Sequence, residues 1–488
     1  MKEVIIKASS FIFNAVTGLS LLACSLHSLA QTTHHRVIWD SDPATAAVIG
    51  FTTSNLGGQP FVKYGYSTDD TSWNTEQISY SHQFGEQANA LKSSFVRLTN
   101  LTPDKDVYFQ VCEQNICGDN FYFKTAPKIA KEFIFIAGGD TRTGHTNRKQ
   151  GNKLIAKTRP LFIMHGGDYT NKNNADEMRT FLDDWALTYS KDIISGQAYS
   201  RIYPLLPTHG NHEDKNYSTL CQVFGYDYNQ DSKCDDFDTF GAVTVADTLR
   251  VYTLNTEYQE SGYSAHAKKM NTWLADDLST TGQKVSWRIA QYHKPMFPHF
   301  SKKRENKTIH AWWSNIFYDK NMNLVVESDT HISKITYPVK PTETGFEPAL
   351  QGGTMYMGEG SWGAPARPAD DPKTWTLDTA SIQQYKIVSV FKDKLELRTA
   401  QFDGAAKAIT QKQREESSTV LPQGVNWWDT RAFGVMIPLV KNTDNKTVID
   451  VPEDSITIIP VVEKPRKTKN KNKKKKKNKN KKNKDNAG

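Results

Sequence analysis

Cysteine is scarce here, five residues in 488. The spacing of Cys112, Cys117, Cys221 and Cys234 matches neither a zinc ribbon nor a zinc finger. The apolar stretch FIFNAVTGLSLLA near the N-terminus is too short to span a bilayer. No internal repeat is present, and the chain outside its C-terminus has no excess of basic residues. Of the net +8, residues 464–488 hold fourteen Lys/Arg against one Asp, which leaves a net −5 on everything before them. That Lys/Asn tail has nothing apolar to bury, so it is expected to be disordered. It also has no aromatics to stack on bases, which argues against sequence-specific nucleic-acid reading. An anionic surface or polyanion is the partner its charge suits, with a solubilising appendage as the plainer alternative.

What is present points outward from the cell. A basic start, a short apolar run and small residues up to Ala30 read as a cleaved signal peptide over residues 1–30. LLAC ending at Cys24 is an imperfect lipobox, so lipidation is the secondary reading. Removing the leader leaves an even four cysteines, which suits two disulfides in an exported protein. Proximity favours Cys112–Cys117 and Cys221–Cys234 among the three possible pairings, and a structural zinc site is the competing use.

Residues 34–126 read as all-β. VIWDSD, AAVIGFTTS, PFVKYGYS, SSFVRLTNL, DVYFQVCEQ and NFYFKTA are short runs rich in Val, Tyr and Phe, separated by Gly, Asn, Asp and Pro. Leu101-Thr-Pro103 followed by Val107-Tyr-Phe109 and Val111 resembles the late-strand signature of fibronectin type III domains. After Ala126-Pro-Lys the pattern changes to apolar strands alternating with amphipathic helices such as ADEMRTFLDDWALTYS and AHAKKMNTWLADDLS, an α/β arrangement. The body is expected to run over residues 130–460, with residues 404–430 not assigned to any element.

Five apolar strands in this region run into polar residues able to bind metal. They give GGDTR (Asp140), GGDYTN (Asp168), GNHE (Asn211, His212), YHKP (His293) and SDTH (Asp329, His331). Ligands collect at the carboxyl ends of strands in α/β folds. Taken singly, each residue is ordinary strand-end polarity, but five in order form a constellation.

That order resembles the calcineurin-like metallophosphoesterases, and the purple acid phosphatases among them, whose blocks run GDx(G/H), GD, GNH(D/E), a lone His and GHxH. The resemblance covers about Phe133 to His331. It implies an α/β (α+β) metallophosphoesterase fold, two mixed β-sheets sandwiched by helices, preceded by the all-β fibronectin-III-like sandwich. It also implies two metal ions. Asp140, Asp168 and His331 would hold the first, and Asp168, Asn211, His293 and Asp329 the second, with Asp168 bridging. Two cations about 3.5–4 Å apart need such a shared anionic ligand, and mixed His/carboxylate donors suit Fe, Mn or Zn. The implied activity is hydrolysis of phosphate monoesters by a metal-bridging hydroxide. A phosphodiesterase or nucleotidase is the alternative on the same site, and a surface adhesion protein with a vestigial site is the alternative outside enzymology.

Catalytic roles are expected for His212 in leaving-group protonation, Glu213 in orienting the His212 ring, and Arg142 as a phosphate clamp or structural ion pair. Three departures from the family pattern matter. Asn171 stands where a ligand Tyr is usual, and Tyr169 is displaced from that position, so no charge-transfer colour is expected. Arg142 cannot be a ligand. Asp329 stands where a neutral His is usual. It therefore adds negative charge to the second subsite, although a salt-bridge role is its plainer reading. His299 reads as a surface-loop residue or a second proton donor. Trp362 and Arg367 read as pocket-mouth or packing residues.

Overall fold

The computed structural model describes residues 32–451, apart from 54–58, 115, 214–215, 403–404 and 431. The expected signal peptide, Cys24, the Lys-rich tail and the expected end of the body near Pro460 lie outside the described residues.

The N-terminal domain is all-β. One of its sheets runs in the order Thr32–Ile38, Ala47–Thr53, Leu91–Leu98, Tyr80–Phe84, and the other in the order Phe121–Lys124, Asp106–Glu113, Pro60–Gly65, Asn74–Gln77. Their inward residues, among them Val37, Ile49, Phe95, Val107, Phe109 and Phe123, form a dry core. Cys112 is bonded to Cys117 and Cys221 to Cys234. His82 lies near the second pair, but a disulfide has no thiolate to offer a metal.

Two mixed sheets form the second domain. The first contains Phe133–Gly138, Phe162–His165 and Leu205–Pro207 as parallel neighbours, flanked by antiparallel Gln384–Val390 and Lys394–Gln401. The second contains Leu249–Thr253, Trp287–Gln291, Leu324–Glu327 and Met355–Gly358 in parallel. Alternation along these strands explains how the second sheet is buried on both faces. Ile289, Leu324, Val326, Met355 and Met357 join the core shared with the first sheet. Ala290, Val325 and Tyr356 face the opposite way, into a core with helices Ser264–Ser279 and Lys307–Asp319.

Helices His145–Thr158 and Ala175–Trp185 pack against the first sheet. The second of these starts where Asn174 accepts the Glu177 amide at 3.0 Å, a cap of about 1 kcal/mol. It buries Met178, Phe181, Leu182 and Trp185 along one stripe. The described residues of the 404–430 stretch contribute only the short helix Gln411–Glu416 and the two-residue strand Asn426–Trp427.

The sheets do not respect the division between domains. Thr32–Ile38 pairs in parallel with Leu205–Pro207 at Ile38 and Leu205, so one twelve-stranded sheet runs through both. The hairpin Ser190–Ile194/Gln197–Arg201 extends the other N-terminal sheet through Ser200 and Phe121. No helix among the described residues is long and apolar enough to cross a membrane.

Candidate metal centre

The carboxyl ends of five strands meet at one edge, where the two sheets face each other. Four of the residues delivered there, Asp140, Asp168, Asp329 and His331, hold left-handed backbone with φ between 59° and 69°. Non-glycine residues rarely adopt this conformation, and it clusters at functional sites. Here it turns each side chain back over the strand end. Adjacent glycines make room, as at Gly360 (φ 82°), where a Cβ would lie 1.9 Å from Asp140 Oδ2.

Two groups of donors result. Asp140, Asp168 and His331 place ligand atoms within 4.8 Å of one another, with His331 Nε2 3.1 Å from Asp140 Oδ1. Around His293 Nε2 lie Asn211 Oδ1 at 3.1 Å, Asp168 Oδ1 at 3.2 Å and Asp329 Oδ1 at 3.7 Å. Asp168 belongs to both groups. His293 Nδ1 lies 2.7 Å from the Gly166 carbonyl. With Nδ1 donating there, Nε2 is the nitrogen that faces the other donors, and a bound cation would take the place of its proton.

Electrostatics favours a cation at this position. Burial works against a charged His293, yet Asp168, Asp140 and Asp329 raise its pKa to about 10. Burial likewise raises the pKa of Asp168, and His293 and His212 outweigh it to hold the carboxyl well below its ordinary range. Asp140 Oδ1 is buried and makes no well-aligned hydrogen bond, its near neighbour being His331 Nε2 at 3.1 Å, a pairing that a shared cation would satisfy. Convergent carboxylates and imidazoles together fit a metal, and Asp140, Asp168 and His331 form the candidate site.

The surrounding residues fall into place with corrections. Glu213 does not orient His212. Its carboxyl group is fully buried and accepts the amides of Asp168 (3.0 Å), Tyr169 (3.1 Å) and Gly210 (2.7 Å), so it pins the loop carrying Asp168 instead. The one-turn helix Asn211–Glu213 points consecutive side chains in different directions, which separates Glu213 from the His212 ring. His212 Nδ1 lies 2.8 Å from the Asn171 carbonyl instead, and its Nε2 is 3.9 Å from Asp168 Oδ2.

Arg142 lies against the donor groups, with Nε 3.3 Å from Asp168 Oδ2, one terminal nitrogen 3.1 Å from Asn171 Oδ1 and the other 3.4 Å from His331 Nε2. Tyr169 points into the core, its hydroxyl 3.0 Å from the Thr208 carbonyl. His299 is neither on the surface nor a proton donor at the opening: it is fully buried, 2.6 Å from Thr376 Oγ1. Trp362 is also fully buried and packs near His165 and Trp185 behind the site. Arg367 bonds the Asp329 carbonyl at 3.1 Å.

Sequence reading missed three contributors. Lys303 forms an ion pair with Asp329. The buried Lys334 pairs with Glu327 and Glu359 beneath the site. Neutral His165 stacks on Tyr169 at 4.3 Å, its pKa lowered by burial to about 3. A lysine in the HFSKKREN loop could have been weighed as the counter-ion of Asp329. Nothing local marks the other two.

Comparison with known proteins defines the class. Residues 32–125 match the family model described as purple acid phosphatase, N-terminal domain, and residues 124–333 match that of the calcineurin-like phosphoesterases. The chain therefore carries a calcineurin-like phosphoesterase domain behind a purple-acid-phosphatase-type N-terminal domain. Uncharacterized proteins from two strains of Mycobacterium tuberculosis are each 22% identical over 342 residues, 61% of this chain and 60% of their own length. The match thus spans less than two thirds of those relatives. Among solved structures, a purple acid phosphatase from yellow lupin (Lupinus luteus) seeds superposes with a TM-score of 0.60 at 13% identity, covering 76% of this chain and 72% of its own. PhoD superposes with a TM-score of 0.59 at 11% identity, covering 87% and 93%. The fold is that of these metallophosphoesterases.

Proposed function

We propose that this protein is an exported phosphatase that hydrolyses phosphate monoesters at a two-metal centre. The observation that carries the reading is the pair of donor groups sharing Asp168, with His293 Nε2 3.2 Å from Asp168 Oδ1 and the Asp140/Asp168/His331 cluster on its other side. Asp140, Asp168 and His331 would hold one ion, and Asp168, Asn211, His293 and Asp329 the other. Fe, Mn or Zn bound there would supply Lewis acidity for phosphoryl transfer to water.

The chain's own groups do the rest. Arg142 lies with its guanidinium against Asp168 and takes a phosphoryl oxygen of the ester. His212 keeps its Nδ1 on the Asn171 carbonyl, which aims Nε2 at the leaving-group oxygen for protonation. Glu213 fixes the loop carrying Asp168. Together with Arg367, whose guanidinium bonds the Asp329 carbonyl, Arg142 gives the site a cationic character that suits the dianionic monoester better than a diester. Strand order in the N-terminal sandwich supports the fibronectin-III-like reading, and the two disulfides support export. The Lys-rich tail serves to hold the enzyme at anionic surfaces, so its deletion should release the protein and leave turnover intact.

The test is a panel of phosphate esters with metal-loaded protein. Hydrolysis of p-nitrophenyl phosphate well above bis(p-nitrophenyl) phosphate supports the reading. The reverse preference assigns a phosphodiesterase, and no hydrolysis of either leaves the adhesion alternative.

A further inference from the structure

Asp329 stands where the resembling family carries a neutral histidine, so the second donor group holds two carboxylates, Asp168 and Asp329. The structure answers this extra charge with a lysine. Lys303 pairs through Nζ with Asp329 Oδ2, and the same Nζ donates to the Asp329 carbonyl oxygen at 2.8 Å. The other carboxylate oxygen, Oδ1, faces His293 Nε2 at 3.7 Å. One face of the carboxylate is thus committed to Lys303 and the other is presented to the donor group.

The contact is held from both sides. Arg367 donates to the Asp329 carbonyl at 3.1 Å, and its amide bonds the His331 carbonyl at 2.9 Å. Lys303 sits in a braced loop. Its own amide bonds the Phe300 carbonyl at 2.9 Å, the Asn306 amide bonds the Met296 carbonyl at 2.8 Å, and Asp370 holds the Ser301 amide at 2.8 Å. The Lys303 side chain keeps a quarter of its surface exposed (25%), against 11% for Asp329. It reaches the carboxylate from the solvent side while Asp329 looks inward.

We propose that Lys303 is the positioning and charge-balancing partner of Asp329, and that it sets how tightly the second subsite holds its ion. The inference rests on the two-metal reading above. Together the ammonium and the carboxylate carry the net charge of one neutral imidazole while keeping an oxygen donor at the site. A carboxylate freed of Lys303 puts its full charge on the bound ion, and at such short range in a partly buried setting that charge matters. The second ion then binds more tightly and exchanges more slowly. Lys303 never touches substrate in this scheme.

Calorimetric titration of the metal-stripped full chain with Mn²⁺, and separately Zn²⁺, tests it. The binding step lost in Asp329→Asn is that of the second subsite. Lys303→Met and Lys303→Gln should tighten this step by about tenfold or more and leave the other step within about threefold. Lys303→Arg should restore near-wild-type affinity, because it keeps the charge. Folding of each variant is checked by circular dichroism. An unchanged or weakened second step in both neutral variants overturns the inference while the function stands. A wild-type chain that takes up neither ion overturns both proposals.

Discussion

The main-chain amide of Asp329 donates to Asp140 Oδ2 at 2.8 Å, across 189 positions of sequence. The backbone of one expected ligand thus fixes the side chain of another, so the two donor groups share a frame. Gly360 closes that frame from the other side, because a methyl group there would collide with the same oxygen and its φ of 82° disfavours any side chain. Gly360→Ala should therefore lower turnover by about a hundredfold or more through loss of geometry at Asp140. Circular dichroism should remain native and metal content should fall below wild type.

Beneath the site, Lys334 is fully buried between Glu327 and Glu359, and the Glu359 carbonyl accepts the His331 amide at 2.7 Å. Lys334→Met leaves two buried carboxylates facing each other. Removing one partner from such a network costs about 3–5 kcal/mol. A large fall in the denaturant midpoint is expected, while Lys334→Met/Glu327→Gln/Glu359→Gln should recover much of it.

Lys386 is a different case. It is buried with, among the described residues, only Ser333 Oγ at 2.7 Å and Thr399 Oγ1 at 2.9 Å as hydrogen-bond partners, and burial lowers its pKa from 10.5 to about 7. Between those two values the unfolded chain binds a proton that the folded chain lacks, so this group's contribution makes stability rise with pH. Below pH 7 the penalty is complete, on the order of 5 kcal/mol. Lys386→Met should raise the melting temperature most at pH 6, and the gain should shrink steadily toward pH 10. A gain that grows with pH would contradict this.

The shared sheets predict cooperative unfolding. Strand Thr32–Ile38 pairs with Leu205–Pro207, and Gln197–Arg201 pairs with Phe121–Lys124. Each domain therefore completes a sheet of the other. Calorimetry should show one transition for residues 32–451, not two, with fluorescence and far-UV signals coincident.

That continuity was not legible in the sequence, because pairing partners such as Ile38 and Leu205 carry no local mark of each other. What was legible came from local pattern. Short runs rich in Val, Tyr and Phe between turn residues marked the N-terminal strands, and apolar runs ending in Asp140, Asp168, Asn211, His293 and Asp329 marked the edge where the donors meet. Strands Asn74–Gln77 and Tyr80–Phe84, which lie in different sheets, were missed because the first is exposed throughout and the second is polar between its buried ends Tyr80 and Phe84. The role of Glu213 was misjudged for a related reason. Sequence adjacency to His212 suggested a side-chain contact, whereas a tight turn sends the carboxylate inward to three amides. The HFSKKREN loop offered a counter-ion for Asp329, but which of its basic residues faces the carboxylate has no local mark.

The most direct measurement is the metal content of the purified protein and its Asp168→Asn variant, by elemental analysis after equilibration with Mn²⁺, Fe²⁺ or Zn²⁺. A shared bridging carboxylate predicts about two ions per wild-type chain, with at least one lost and turnover nearly abolished in the folded variant. A wild-type chain that takes up no ion, or an Asp168→Asn variant that keeps both ions and its activity, would contradict the assignment.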